Sequence, residues 1–136
     1  MKKLLSIAVV CLVAAITISS CTKPSTVLPG HGGKWTVKGT VVSSVGSTSI
    51  TSHYAGTYSF TKTDVSVTDS GSTVSHTYAW SYNKDSKVIT FTDNSTTPAT
   101  TSTATVTEAK AKEEKWHSSE TSGSFTVTAD FTLTRQ

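Results

Sequence analysis

The sequence is poor in charge, in aromatic residues and in cysteine. Only 15% of its 136 residues are charged and 8% are aromatic, and it contains 2 Cys, 3 Pro and 1 Met. A helical bundle or coiled coil is excluded, because those folds are rich in Ala, Glu, Lys and Leu at helical spacing. Two cysteines cannot form a disulfide framework. A chain of this length supports one domain.

Small hydroxyl side chains are abundant instead. The chain contains 27 Thr and 22 Ser. Thr is β-branched and suits an extended strand, where its hydroxyl can face water. This composition therefore indicates the outer face of a β-sheet, and it is not by itself a sign of catalysis.

The first 20 residues have the pattern of an exported protein. Lys2 and Lys3 are followed by an almost wholly apolar run, Leu4 to Ile18. This run is shorter than the roughly 20 residues that a membrane-spanning helix needs. A basic start followed by a short apolar run is typical of a signal peptide. We therefore predict that residues 1–20 are a signal peptide.

The end of this segment carries a more specific signal. Ile18-Ser19-Ser20-Cys21 resembles the lipobox of bacterial lipoproteins. The resemblance implies cleavage before Cys21 and acylation of its thiol and its new amine, which anchors the protein in a membrane. A secreted protein with a chance cysteine near its cleavage site is the alternative. The residues after Cys21 lack the acidic run that resembles a surface-export signal, so the predicted location is the outer membrane, facing the periplasm.

The segment between the lipobox and the first strand is predicted to be a tether. It has little apolar periodicity and contains Pro24, Pro29, Gly30, Gly32 and Gly33. Such a composition is typical of flexible linkers. We therefore divide the mature chain into Cys21 and its tether, residues 21–32, and one domain, residues 33–136.

From Trp35 onward, apolar residues alternate with polar ones, as in half-buried strands. The clearest runs are Trp35–Val45, Val74–Tyr82 and Phe125–Leu133, and shorter ones are Tyr58–Phe60, Val65–Val67, Ile89–Phe91 and Ala104–Val106. About eight strands with short turns predict an all-β antiparallel meander. Closure into a barrel would remove its exposed edges. A β-sandwich is the alternative fold.

One segment is ambiguous. Glu108 to Lys115 favours helix by composition, yet it lies between strands, and Ala109 and Ala111 alternate with lysines. We predict a polar strand here and keep a helix as the alternative. Three lysines interleave with Glu108, Glu113 and Glu114, which predicts a solvated face and not a patch for nucleic acid.

Two motifs at the ends of the domain indicate a family. Gly33-Lys34-Trp35 resembles the Gly-X-Trp motif of lipocalins, and Arg135 resembles the Arg that these barrels often place near the end of the last strand. In that family the Arg lies over the motif Trp, which implies a structural pair of Trp35 and Arg135. The chain thus resembles a small bacterial lipocalin-like lipoprotein. It lacks the C-terminal helix and disulfide of the larger lipocalins.

No pattern predicts an enzyme, a metal or a cofactor. The histidines at positions 31, 53, 76 and 117 have no His or Cys two to five residues away, the spacing of local metal ligands. The chain has neither a Gly-X-Ser-X-Gly elbow nor a glycine-rich phosphate loop. Glu113 and Glu114 would point to opposite faces of a strand, so they do not form a catalytic dyad. After residue 20, ten basic and nine acidic residues remain, which does not favour nucleic acid as a partner.

The candidate ligand-binding residues are His76, Tyr78, Trp80 and Tyr82, which share one strand face. If this face points into a barrel, it could line a pocket for a small apolar or amphipathic molecule, for which about 300 Å³ is a common minimum. The alternative is that these rings fill the interior of an eight-stranded barrel. The function predicted is therefore a non-catalytic, lipid-anchored binding module. A filled-core protein-interaction or structural envelope module is the alternative.

Overall fold

A computed structural model describes residues 24–30 and 33–136. The predicted signal peptide, residues 1–20, and Cys21 lie outside the described residues. A one-turn helix, α1, is followed by eight strands. Their bounds are α1 Pro24–Val27, β1 Lys34–Val45, β2 Thr48–Phe60, β3 Asp64–Asp69, β4 Ser75–Asn83, β5 Val88–Asp93, β6 Thr100–Ala109, β7 Glu113–Ser122 and β8 Phe125–Arg135. In this part of the chain, no helix is long and apolar enough to cross a membrane.

The eight strands form a closed antiparallel barrel in which each strand pairs with the next along the chain. Pairing of β1 with β8 closes it, from Trp35 opposite Arg135 to Val45 opposite Phe125. The predicted all-β meander barrel is confirmed, and the alternative sandwich is wrong because this continuous pairing leaves one sheet and not two.

The two ends of the barrel differ. We call one the closed end: β1 starts there, β8 finishes there, and the β2–β3, β4–β5 and β6–β7 turns lie there. The other we call the mouth. The core lies towards the closed end, where the buried inward side chains are Trp35, Val37, Phe60, Val65, Trp80, Ile89, Ala104, Val106, Trp116 and Leu133. Its rings pack edge to face, with 5.3 Å between the centres of Phe60 and Trp80 and 6.1 Å between Phe60 and Trp116.

The segment that precedes β1 covers the closed end. Val27 is buried, and Leu28 is wholly inaccessible to solvent. We call Pro24–Gly30 the plug. The sequence predicted a flexible tether here, and for these residues the structure shows packed chain instead. This single helical turn and the residue after it place Val27 and Leu28 against the core. Two apolar positions are too few to show a helical periodicity in the sequence.

Two long hairpins, β1–β2 and β7–β8, extend beyond the other strands at the mouth. β1 and β2 have 12 and 13 residues, whereas β3 and β5 have 6 each. β2 pairs with β3 only from Gly56 to Phe60, so Thr48–Ala55 has β1 as its sole strand neighbour among the described residues. The sequence pattern indicated only the last three residues of this strand, because Thr48–Ala55 has no regular apolar alternation.

The segment Glu108–Lys115 is a hairpin. The predicted strand is confirmed for residues 108–109 and 113–115 and is wrong for residues 110–112, which form the turn; the alternative helix is wrong. β6 ends at Ala109, β7 starts at Glu113, and the Lys110 amide donates to the Glu113 carbonyl at 2.8 Å across the turn. The predicted solvated face holds for Glu108, which pairs with Lys110 and Lys115. It fails for Glu114, whose exposed fraction is 0%.

Candidate functional site: a cavity at the barrel mouth

The mouth half of the barrel interior contains a cavity of about 220 Å³. Five consecutive strands, β2 to β6, each contribute one inward side chain to its wall: Tyr58, Val67, Tyr78, Phe91 and Ser102. All five retain contact with solvent, so the cavity is open. Its volume is below the roughly 300 Å³ of sites for drug-sized ligands. A roomy apolar chamber is therefore excluded, and any occupant is small.

The aromatic core limits the depth of this cavity. The Trp116 ring lies 5.8 Å from Phe91 and 6.4 Å from Tyr58, measured between ring centres. Trp116 is itself fixed, because its indole Nε1 donates to Oε2 of Glu114 at 2.9 Å. A ligand in the cavity would thus contact rings that pack directly on the core.

The rim consists of the next inward positions toward the mouth on β3 to β6. Since side chains alternate between faces, these positions are Asp69, His76, Asp93 and Thr100. The Tyr54 hydroxyl donates to Oδ1 of Asp69 at 2.9 Å. Gly56 gives the phenol its room, because a Cβ there would meet Tyr54 Oη. Burial raises the pKa of Tyr54, which keeps the phenol neutral and able to donate.

Asp93 is held as a carboxylate. The Ser95 hydroxyl and amide donate to its Oδ1 at 2.6 and 2.8 Å. These hydrogen bonds lower the pKa of Asp93, and the neighbouring His76 acts in the same direction. The rim therefore carries negative charge at neutral pH.

The four residues predicted to line a pocket lie at different depths. Tyr78 is in the cavity wall. Trp80 belongs to the core, with its Nε1 donating to the Thr61 carbonyl at 3.0 Å. His76 is at the exposed rim, and Tyr82 is half-buried nearer the closed end. Successive residues on one strand face are about 6.6 Å apart, so four of them extend too far along the barrel axis to line one small cavity.

The structure brings the predicted pair of Trp35 and Arg135 together at the closed end. The guanidinium carbon lies 5.1 Å from the centre of the Trp35 ring. Both side chains also hold the plug: Trp35 Nε1 donates to the Leu28 carbonyl at 2.9 Å, and Arg135 Nη2 to the Val27 carbonyl at 2.7 Å. The pair thus fastens the plug onto the barrel, a role that the sequence alone did not indicate.

Arg135→Ala should lower the free energy of unfolding by about 2 kcal/mol, because it removes a charged hydrogen bond and a cation–π contact and leaves the Val27 carbonyl unpaired. Lys34→Ala is the control, since its exposed side chain should contribute less than about 0.5 kcal/mol. Thermal melts of both variants test this. Equal, small shifts in melting temperature would show that the pair does not stabilise the domain.

Glu114 is a buried acid that the sequence pattern did not reveal. Its Oε1 and the Nε of Arg135 have no hydrogen-bond partner within the described residues. Burial raises the pKa of Glu114 to about 7, against the opposing effects of the Trp116 hydrogen bond and the Arg135 charge. Its neighbours in sequence are both charged, Glu113 half-buried and Lys115 exposed, which is why composition predicted a solvated position.

The outer surface has a larger and more open depression of about 640 Å³ across β1, β2, β6, β7 and β8. Side chains of both charge signs border it, among them Lys38, Lys115 and Asp130. Nearby, His117 Nδ1 lies 2.7 Å from Asp130 Oδ1. Across the described chain, no group of three or more His, Cys, Asp or Glu could hold a metal ion. We regard the interior cavity as the better ligand site, because its wall combines three aromatic rings with a hydroxyl side chain.

No protein-family model, curated protein or solved structure matches this chain.

Proposed function

We propose that this protein is a lipid-anchored lipoprotein of the bacterial envelope whose lipocalin-like barrel binds a small molecule and catalyses no reaction. The observation that carries the proposal is the open interior cavity walled by Tyr58, Val67, Tyr78, Phe91 and Ser102. Rings on three sides and a polar rim suit a small amphipathic molecule. The lipobox-like Ile18–Cys21 supports the anchor, and the pattern of residues 22–25 supports the periplasmic face of the outer membrane.

Ser102→Phe should abolish ligand binding while preserving the fold. Ser102 is exposed to the cavity, so a phenyl ring can enter the open volume without displacing the core. Thr101→Phe is the matched control, because the neighbouring position on β6 faces outward. We expect at least a tenfold loss of affinity in the first variant and none in the second.

Native mass spectrometry of the protein purified from its host measures whether each variant retains the ligand. The wild-type chain and Thr101→Phe should carry a discrete additional mass that denaturation removes, and Ser102→Phe should lack it. Denatured samples should show a mature chain that starts at Cys21 and bears acyl groups. An additional mass that persists in Ser102→Phe would place the ligand elsewhere. A wild-type chain free of ligand would count against the binding function.

The alternative function is protein interaction through the long hairpins at the mouth. Val45, Ile50 and Phe125 are there 53%, 69% and 43% exposed. The adjoining edge of β2, Thr48–Ala55, has no charged residue or proline of the kind that protects an edge strand. The same spectra distinguish this function, because it predicts a second polypeptide, and no small molecule, bound to the chain.

A further inference from the structure

The basic residues of the domain lie mostly at the closed end of the barrel, where five of its nine acidic residues also lie: Asp64, Asp85, Glu108, Glu113 and Glu114. The described residues contain nine Lys and Arg. Eight of them lie in the closed-end turns or in the strand segments that adjoin them: Lys34, Lys62, Lys84, Lys87, Lys110, Lys112, Lys115 and Arg135. The ninth, Lys38, is exposed on the outer face of β1. No Lys or Arg of the described chain therefore faces the interior of the mouth half.

Acidic residues occupy that region instead. Asp69 and Asp93 stand at the rim immediately above the cavity wall, and Glu120 faces the same interior space from β7. Clefts lined by one sign of charge attract ligands of the opposite sign. The other titratable groups at the rim are Tyr54, which donates to Asp69, and His76, which lies beside Asp93.

The wall below this rim is suited to a cation. Tyr58, Tyr78 and Phe91 present three aromatic rings to one small space, and a cation is attracted to the face of such rings, most strongly when it is partly desolvated. Burial raises the pKa of Tyr58, so its ring remains a neutral phenol in this setting.

From this arrangement we infer that the cavity takes a small organic cation, such as a primary or quaternary amine on a short chain or single ring. The positive group would lie between the aromatic wall and the carboxylates of Asp69 and Asp93, and the apolar part would fill the remaining volume of about 220 Å³. This inference rests on the proposed binding function and specifies its ligand class.

Three probes of similar size and different charge test the inference: 2-phenylethylamine, 2-phenylethanol and phenylacetate. Each is titrated calorimetrically at low salt into the full chain in phosphatidylcholine nanodiscs, with protein-free discs as the blank. We expect the amine to bind at least tenfold more tightly than the alcohol and the carboxylate to bind weakest. The preference should decline as salt screens the rim.

Variants connect this preference to the rim. The double variant Asp69→Asn and Asp93→Asn keeps the acceptor oxygens for Tyr54 and Ser95, and it should reduce amine affinity about tenfold while leaving the alcohol unchanged. The control variant Asp64→Asn and Asp85→Asn also removes two negative charges, at the closed-end turns, and should alter neither affinity. Equal binding of amine and alcohol, or tighter binding of phenylacetate, would overturn the cation preference and leave the binding function standing. Failure of all three probes to bind would overturn both.

Discussion

Gly33→Ala should destabilise the domain by about 3 kcal/mol or more, the largest loss we expect from one added methyl group. Gly33 has φ of 64°, a left-handed conformation that Ala adopts only at a cost. Its carbonyl accepts the Phe60 amide at 2.7 Å, and a Cβ at position 33 would overlap the Phe60 carbonyl oxygen. The clash is with backbone, so no side-chain rotation can relieve it.

Gly46→Ala separates the two causes. Gly46 has φ of 58°, but a Cβ there meets no atom within 4 Å. This control should therefore lose only about 1 kcal/mol, the conformational part of the effect. Thermal unfolding should show a drop of about 15 °C for Gly33→Ala and about 5 °C for Gly46→Ala. Similar drops in the two variants would mean that the chain relaxes around position 33 and that the contact with Phe60 is unimportant.

Glu114→Gln should stabilise the protein by up to about 3 kcal/mol at pH 8 and leave it nearly unchanged at pH 4. The pKa of Glu114 is about 7 in the folded protein, against an ordinary value of 4.5. Between these pH values the folded state keeps a proton that the unfolded state releases. The free energy of unfolding therefore falls as pH rises through this window and is level above it. Glutamine carries no charge and can still accept from Trp116.

Denaturant titrations from pH 5 to 8 measure this difference. The groups that face Glu114 are Arg135 and Tyr82, and burial raises the pKa of Tyr82 further above this window. Hydrogen bonds from Lys110 and Lys115 lower the pKa of Glu108 to about 2. These two ion pairs therefore lose their contribution to stability only in acid, below pH 4.5. Glu113→Gln is the matched control on the outward face and should keep the wild-type slope. Parallel pH profiles for wild type and Glu114→Gln would refute a buried titrating acid.

The barrel could be predicted because its strands obey simple alternation. Along β8, Phe125 to Leu133 place one apolar residue at every second position, and a half-buried strand requires this pattern. Closure was predictable from the exposed edges that an open meander would leave. The overhang of β2 was not, since Thr48–His53 is exposed along its whole length and nothing selects apolar residues there.

For the candidate site, the sequence predicted only which face of β4 points into the barrel. Alternation indicated which β4 side chains point inward, but not which of them lie at the depth of a void. That depth depends on the staggered register of neighbouring strands, which aligns Trp80 with Phe91 and Tyr82 with Ile89. The acidic rim was also missed, because Asp69 and Asp93 end their strands beside turns, where aspartate is common for local reasons.

Both ends of the described chain meet at one pole of the molecule. The Gln136 amide donates to the Lys34 carbonyl at 3.1 Å, and the plug covers the same pole. With acyl groups on Cys21, only two residues, Thr22 and Lys23, separate the bilayer attachment from Pro24, a reach of about 10 Å. The domain would then stand close to the membrane on its lysine-bearing pole, where anionic headgroups attract it. Its mouth would point away from the lipid and would be accessible to molecules in the surrounding solution.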